Sequence, residues 1–351
     1  MPFLQINELE EIKNKVLGGD PVFLVGTVSY EERCLAFFDV IKKLFPREII
    51  NNNTYAFKII DDESDYRDQA EDLTDKNLKS LKNKHGIDIE IVDCGLMYER
   101  NGVKELFNKL NSQINDYHNL FIDISSLPRR YLLEILKNFL NTDYIKNLII
   151  FYSTPIKYQS PLVIGDLIPQ ELLSGSSLGG KERIAIAALG LNKTQLSICI
   201  EHINPQSIIL IIPYPSTIIH EVLYKNRDFI EEKRERKTSE VIRLRYAHPY
   251  NPLQLLEILN KETEFMKKYK GEENVSFSLI PLSTKVQALA MFIYGINNKV
   301  NIVYAQPRTY NVPYSYGYSR FFVYRVSKDS TGGHQKWLKI DSGIWTGKLS
   351  K

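Results

Sequence analysis

The chain reads as an α/β protein of two tandem Rossmann-like units, a pseudo-two-fold internal repeat of mainly parallel sheets with helices on both faces. Three observations lead there. Short continuous apolar runs alternate with longer stretches of helical periodicity, the pattern of buried parallel strands and their covering helices. The second half of the chain repeats the order of elements in the first. The length of 351 residues exceeds one typical domain.

The first apolar run, VFLVG, ends at Gly26; helical spacing follows at Leu35, Phe38, Val40, Ile41 and Leu44, then Pro46 and the strand YAFKII. From Arg183, RIAIAALG ends at Gly190, a helical stretch carries Leu196, Ile198, Cys199 and Ile203, and Pro205 precedes another strand. IDIEIVDCG (87–95) and the helix VKELFNKLNSQI are matched by EVIRLRYAHPYN (240–251) and PLQLLEILNKETEFMKK. From Asn119, NLFIDISSLPRRYLLEILKNFL gives a strand, a short Ser/Pro/Arg loop and an apolar helix. VSFSLIPLSTKVQALAMFIYGI from Val275 repeats that plan, with Lys285 where Arg129 lies. NLIIFYSTPIKY (147–158) and VNIVYAQPRTY (300–310) close the two halves, pairing Pro155 with Pro307 and Tyr158 with Tyr310. Any two α/β halves share a vague likeness, but five elements recurring in one order go further. The expected division is a first unit over 1–165, a Gly/Ser-rich linker or mobile loop over 166–182 and a second unit over 183–310. A β-rich tail over 311–351 follows, with a turn at Gly332-Gly333.

Composition narrows the function classes. Apolar residues at 43% and charged residues at 25% are ordinary for a soluble globular protein. A net charge of +3 does not favour nucleic-acid binding, so any anion site has to be a local cluster. Cys34, Cys94 and Cys199 lie far apart in apolar stretches and read as buried small side chains. No HExxH or Cys/His cluster is present, so neither a metal nor another cofactor is expected. The N-terminus lacks a signal-peptide apolar core, and SIILIIPYPSTII (207–219) is short and broken by Pro213 and Pro215. A cytoplasmic, non-membrane protein is expected. GSSLGGK lacks P-loop spacing, and the glycine pattern after the first strand is not GxGxxG, which disfavours classical NAD or S-adenosylmethionine binding.

In such sheets ligands bind beyond the carboxyl ends of the strands, and polar and basic residues outside helices gather there. SSLPRR (125–130) offers Ser125 and Ser126, a proline in the first turn, and Arg129 and Arg130 beside a helix N-terminus. PLSTK (281–285) offers Ser283, Thr284 and Lys285 in the equivalent place. Free N–H groups with an adjacent cation suit a phosphate; alternatively the hydroxyls only cap helices and the cations face water. Gly26, Thr27, Ser29, Glu32 and Arg33 follow the first strand as candidate rim residues, or Glu32 and Arg33 form a first-turn ion pair. Tyr214 and Ser216 follow the apolar strand of the second half. Arg308 with Tyr310, Tyr314 and Tyr316 forms a loop that suits a base and a phosphate, or packs as a tyrosine-rich edge. Asp61, Asp62 and Glu63 read as a solvated turn and YKNRDFIEEKRERK (224–237) as an exposed helix face. His220 and His248 lie near the expected mouth without a Ser or Cys partner for a triad.

PLSTKVQALAM (281–291) and DISSLPRR (123–130) resemble the ligand-binding loop of CARF-type Rossmann domains, the cyclic-oligonucleotide sensors of CRISPR-associated and related antiphage systems. The chain looks like two such units fused, as in SAVED domains, although the Thr-Gly-Gly-Thr-Lys glycines usual in that loop are missing. The resemblance implies a nucleotide or cyclic-oligonucleotide ligand held by Ser126, Arg129, Arg130, Ser283, Thr284 and Lys285. It also implies a sensor or regulatory role in a bacterial antiphage defence system, acting through a separate effector protein. Two alternatives stay open: a metal-independent, ring-nuclease-like phosphodiesterase, and a non-catalytic structural subunit that binds a partner protein. Homo-oligomerisation is also open.

Overall fold

The computed structural model describes residues 22–60, 66–87, 89–95, 102–112, 119–158, 163–175, 182–216, 218–235, 241–310, 312, 315–330 and 336–348. The chain divides into two compact units, one of residues 1–164 with 308–351 and one of 165–307.

The first unit runs through β1 (Val22–Val28), a 3-10 turn (Glu32–Cys34), α1 (Leu35–Leu44), α2 (Arg47–Asn53), β2 (Thr54–Ile60) and α3 (Arg67–Ser80). It continues with β3 (Glu90–Gly95), α4 (Gly102–Ser112), β4 (Asn119–Asp123), α5 (Arg129–Asn141), β5 (Asn147–Thr154) and β6 (Lys157–Tyr158). Strands β3-β2-β1-β4-β5 lie side by side in that order, all parallel. This is the 3-2-1-4-5 order of a doubly wound Rossmann sheet, with its switch point between β1 and β4. Every residue of β1 and β4 is buried, as expected for central strands covered on both faces. The apolar side of α1 presents Phe37 and Phe38 to the sheet. Phe37 meets Phe121 and Phe151 edge to face, at ring separations of 5.3 and 5.5 Å.

The second unit holds β7 (Val163–Leu173), β8 (Glu182–Ala188), α6 (Lys193–Ile203), β9 (Ser207–Pro213) and α7 (Ile219–Glu235). Then come β10 (Val241–Ala247), α8 (Pro252–Lys270), β11 (Val275–Pro281), α9 (Lys285–Asn298) and β12 (Asn301–Tyr310). Its sheet order is β10-β9-β8-β11-β12-β7, and the pairs from β10 through β12 are parallel. Helix starts are marked by the residue types that satisfy open N–H groups. Asn192 accepts from the N–H groups of Thr194 and Gln195, Asn251 from that of Gln254 ahead of Pro252, and Thr284 from that of Gln287.

Three C-terminal strands return to the first unit: β13 (Ser315–Tyr316), β14 (Arg320–Ser330) and β15 (Lys336–Lys348). β14 pairs antiparallel with both β5 and β15 and extends that sheet to seven strands. Phe321 of β14 stacks on Phe151 at 5.6 Å, so it belongs to the core of the first unit. The C-terminal segment is β-rich, as expected from sequence, and β14 and β15 join the first unit's sheet, while the expected linker begins as β7. Residues 176–181 of that linker lie outside the described residues.

Pairing registers align the two units residue by residue. Val22 faces Asn119, and Glu182 faces Val275, each pair joining first and fourth strands. Counting on from Asn119 and Val275 brings Arg129 onto Lys285, and both are the first residues of their helices. The third strands end together at Gly95 and Ala247 by the same registers. Three sequence-based pairings fail: the registers carry Pro155 onto Gln306 and Tyr158 onto Thr309, one residue short of Pro307 and Tyr310, and Gly26 does not match Gly190. Gly26 lies inside β1 under Phe38, where a Cβ would come within 2.3 Å of the ring, whereas Gly190 lies beyond β8 against the Leu282 carbonyl, at 2.2 Å. Among the described residues no helix is long and apolar enough to cross a membrane.

Candidate functional site

Two tertiary hydrogen bonds recur at the carboxyl ends of both sheets. The third residue of the helix after the fourth strand reaches the last carbonyl of the third strand. Tyr131 donates its hydroxyl to the Gly95 carbonyl (2.7 Å), and Gln287 donates Nε2–H to the Ala247 carbonyl (3.3 Å). A buried asparagine from the helix after the second strand then holds the loop after the first. Asn77 donates to the Ser29 carbonyl (2.8 Å) and Asn226 to the Gly190 carbonyl (3.0 Å). These bonds fix the mouth of each sheet in the same way, with an asparagine in both units and a tyrosine in the first where the second has a glutamine.

In the first unit the predicted site residues are drawn into internal bonds. Gly26 and Thr27 are buried strand residues, and Thr27 donates its hydroxyl to the Asp123 carbonyl at 2.9 Å. Arg33 is buried and pairs in two-pronged fashion with Glu31, at 2.8 and 3.1 Å, not with Glu32. Ser29 accepts the Glu31 N–H. Ser315 donates to Glu31 Oε2 (2.6 Å), and the Gly317 N–H donates to Glu32 Oε2 (3.1 Å), so the chain after β13 lies on this loop. Ser125 donates to Asp123 Oδ1 (2.5 Å) and accepts the Ser153 N–H (2.8 Å), while Ser153 donates to the Arg33 carbonyl (3.1 Å). Arg130 is buried and donates to the Gly95 carbonyl at 2.5 Å. Ser126 is buried and its Oγ has no hydrogen-bond partner among the described residues. Arg129 is half-buried at the start of α5. Arg308 is exposed, Tyr310 half-buried at the end of β12 and Tyr316 exposed in β13; Tyr314 lies outside the described residues, as do Asp61, Asp62 and Glu63.

In the second unit the corresponding residues frame an open polar and aromatic surface. Thr284 caps α9 and donates its own hydroxyl to the Pro249 carbonyl (2.6 Å), which joins the start of α9 to the loop after β10. Ser283 is buried beside it, and Lys285, the first helical residue, is half-exposed. Gln287 is fully buried, and its Nε2 also lies 3.5 Å from the His248 carbonyl. Those two carbonyls fix the amide's orientation, because turning it over would set Oε1 against them. Oε1 is then left as a buried acceptor without a donor among the described residues, an arrangement that carries a desolvation cost of about 1–3 kcal/mol. Tyr214 donates its N–H to the same Ala247 carbonyl (2.9 Å). Its ring meets that of Tyr246 edge to face at 6.0 Å, yet the two residues are 55% and 53% exposed. Ser216 accepts the Ile218 N–H in a local turn. His248 Nδ1 accepts the Tyr250 N–H (3.2 Å), so its neutral ring carries the proton on Nε2, and burial lowers its pKa. His220 is exposed on the first turn of α7.

The mouth of the second unit thus combines a capped helix start, a cation, a buried unsatisfied acceptor and open aromatic surface. Among the described residues no cluster of His, Cys, Asp or Glu is placed to hold a metal ion. Sequence reasoning missed Glu31, Asn77, Asn226, Tyr131, Tyr246 and Gln287. Each is an ordinary residue for its helix, strand or turn, and only its tertiary partner marks it. Burial raises the thiols of Cys34 and Cys199 to about 12, and all three cysteines are free and buried.

No protein-family model matches the chain, and no curated protein does. Among solved structures, the chain is similar to a histidine-to-glutamine variant of FprA from Mycobacterium tuberculosis at 7% identity. The match covers 93% of this chain and 68% of that chain with a TM-score of 0.14, a value too low to indicate a shared fold.

Proposed function

We propose that this protein is a nucleotide-binding sensor, a regulatory component of a bacterial antiphage defence system that acts through a separate effector. The ligand's phosphate is read at the start of α9 in the second unit. The observation that carries this reading is the place of Lys285, half-exposed and the first residue of the helix beyond the fourth parallel strand, next to the Thr284 cap. At that point of a doubly wound sheet, helix N–H groups and a cation converge on the zone where such folds take ligands. Ser283 adds a hydroxyl there. The likeness of PLSTK and SSLPRR to CARF loops supports the sensor role and the defence setting.

Thermal-shift measurements against mononucleotides, dinucleotides and cyclic oligonucleotides test it. A ligand at 100 times its Kd stabilises the native state by about 2.7 kcal/mol. Stabilisation by one nucleotide class, removed by Lys285→Ala, is the expected result. No shift with any member of the panel overturns the reading.

A further inference from the structure

Each sheet has its unit's third strand at one edge. Among the described residues β3 pairs with β2 alone and β10 with β9 alone, and an edge strand presents a row of backbone groups that a further strand can pair with. The two edges carry opposite charge. On β10, Arg243 and Arg245 reach one carboxylate, that of Glu262 in α8, at 3.2 and 2.5 Å, so two guanidiniums share a single negative charge. On β3, Glu90 pairs with Lys109 of α4 and Asp93 is exposed, so two carboxylates stand beside a single ammonium.

The opposite faces of the same edges are complementary in shape. Alternation along β10 sets Leu244 in the apolar cluster with Phe229 and Ile230 of α7, and it sets Tyr246, over half exposed, on that same face. Alternation along β3 sets Val92 and Cys94 against Gly102 at the start of α4, and Ile91, 38% exposed, on the face of α3. A cavity of about 290 Å³ opens there; its lining is apolar at Leu78, Leu81, Ile87, Ile89 and Ile91 and charged at three further residues. A cavity of about 150 Å³ admits benzene, so this one has room for a tyrosine ring.

From these two edges we infer that copies of this chain associate through β10 of one and β3 of the next, as antiparallel neighbours in one sheet. Both units are wound in the same order and hand, so their helix faces match when the two strands run antiparallel. Arg245 then lies opposite Glu90, Leu244 opposite Ile91 and Tyr246 opposite Ile89, where the ring enters the cavity. Pairing of β10 with its own copy is opposed, because centring on Leu244 sets Arg243 against Arg245. The contact joins two different surfaces and is heterologous. It needs no ligand and is independent of the reading at the start of α9.

Sedimentation velocity of the full chain over a concentration series, at low and high salt, tests this. The wild type shows a mass that rises above the monomer with concentration, and rises less at high salt. Arg245→Glu and Glu90→Arg each set like charges opposite one another and weaken self-association at least about tenfold. An equimolar mixture of these two variants restores it, because the reversed charges then face each other. Ile91→Lys and Tyr246→Ala also weaken it without touching either ion pair, and they decide the matter if a charge variant fails to fold. Ile156→Ala, at an exposed position after β5, leaves it unchanged. The inference is overturned by a wild-type chain that stays monomeric at every concentration, or by self-association that Ile91→Lys and Tyr246→Ala leave intact. A mixture of folded charge variants that associates no more strongly than its components overturns it as well.

Discussion

The two units share one scaffold and treat the same positions in opposite ways. In the first, the cation after the leading strand, Arg33, is buried against Glu31 and roofed by Ser315. In the second, the register brings Lys193 to that place, where it is exposed and pairs with Asp228 at 3.1 Å. At the end of the third strand, Gly95 is held by Arg130 and Tyr131, both buried, whereas Ala247 is held by the backbone of an exposed tyrosine and by an amide with an oxygen to spare. A repeated fold can thus put its polar groups into holding its own loops in one copy and present them at the mouth of the other.

The largest expected effect lies in the first unit. Removing one member of a buried ion pair leaves an uncompensated charge and costs about 3–5 kcal/mol. Glu31→Ala and Arg33→Ala therefore lower the unfolding free energy by that amount in denaturant titrations. Lys193→Ala, at the matching place, changes it by less than about 1 kcal/mol. Similar losses for Arg33→Ala and Lys193→Ala would remove the contrast between the units.

The shared framework gives a symmetric expectation. Asn77→Ala and Asn226→Ala each leave a loop carbonyl without its buried donor, at about 1–3 kcal/mol. Comparable losses sharpen the equivalence of the two mouths, while a loss confined to one unit breaks it. A smaller effect separates the helix residues beneath them. Tyr131→Phe gives up the bond to the Gly95 carbonyl and the one accepted from Arg130, each worth about 0.5–1.5 kcal/mol. Gln287→Met costs less than about 1 kcal/mol, because it removes an unsatisfied acceptor together with its donor.

The smallest effect is a pH dependence. Burial holds His248 below its ordinary pKa, so the unfolded chain takes up the proton at a higher pH than the folded one. The stabilisation that goes with the neutral ring is complete above about pH 6.5 and is lost as the pH falls below it. The melting temperature of the wild type should fall faster between pH 7 and pH 5 than that of His248→Gln; parallel curves would remove His248 from the account.

The repeat was legible because hydrophobic period and element order are local properties. The apolar runs of β1, β4, β8 and β11 and the helix starts at Arg129 and Lys285 follow from them directly. What the sequence hid was long-range pairing. Nothing local to Phe321 says that it stacks on Phe151, so the sequence shows that strands follow 311 but not which sheet they join. Residues 166–182 read as linker because of the glycines and serines at 175–180, but their first part belongs to β7, an edge strand, where Pro169 is tolerated. Gly26 suggested a ligand loop, but its missing side chain makes room for Phe38. Arg33 showed its charge but not its partner: Glu31 and Glu32 both lie within reach along the chain, and the packing of Ser315 selects the first.

The central claim is that the second unit, not the first, reads the ligand's phosphate. Calorimetric titration of the best-stabilising nucleotide into wild type, Arg129→Ala and Lys285→Ala tests it most directly. The account predicts that Arg129→Ala binds as the wild type does and that Lys285→Ala binds at least about tenfold more weakly, as expected for a lost charge-assisted contact. Loss of binding in Arg129→Ala with full binding in Lys285→Ala would contradict it.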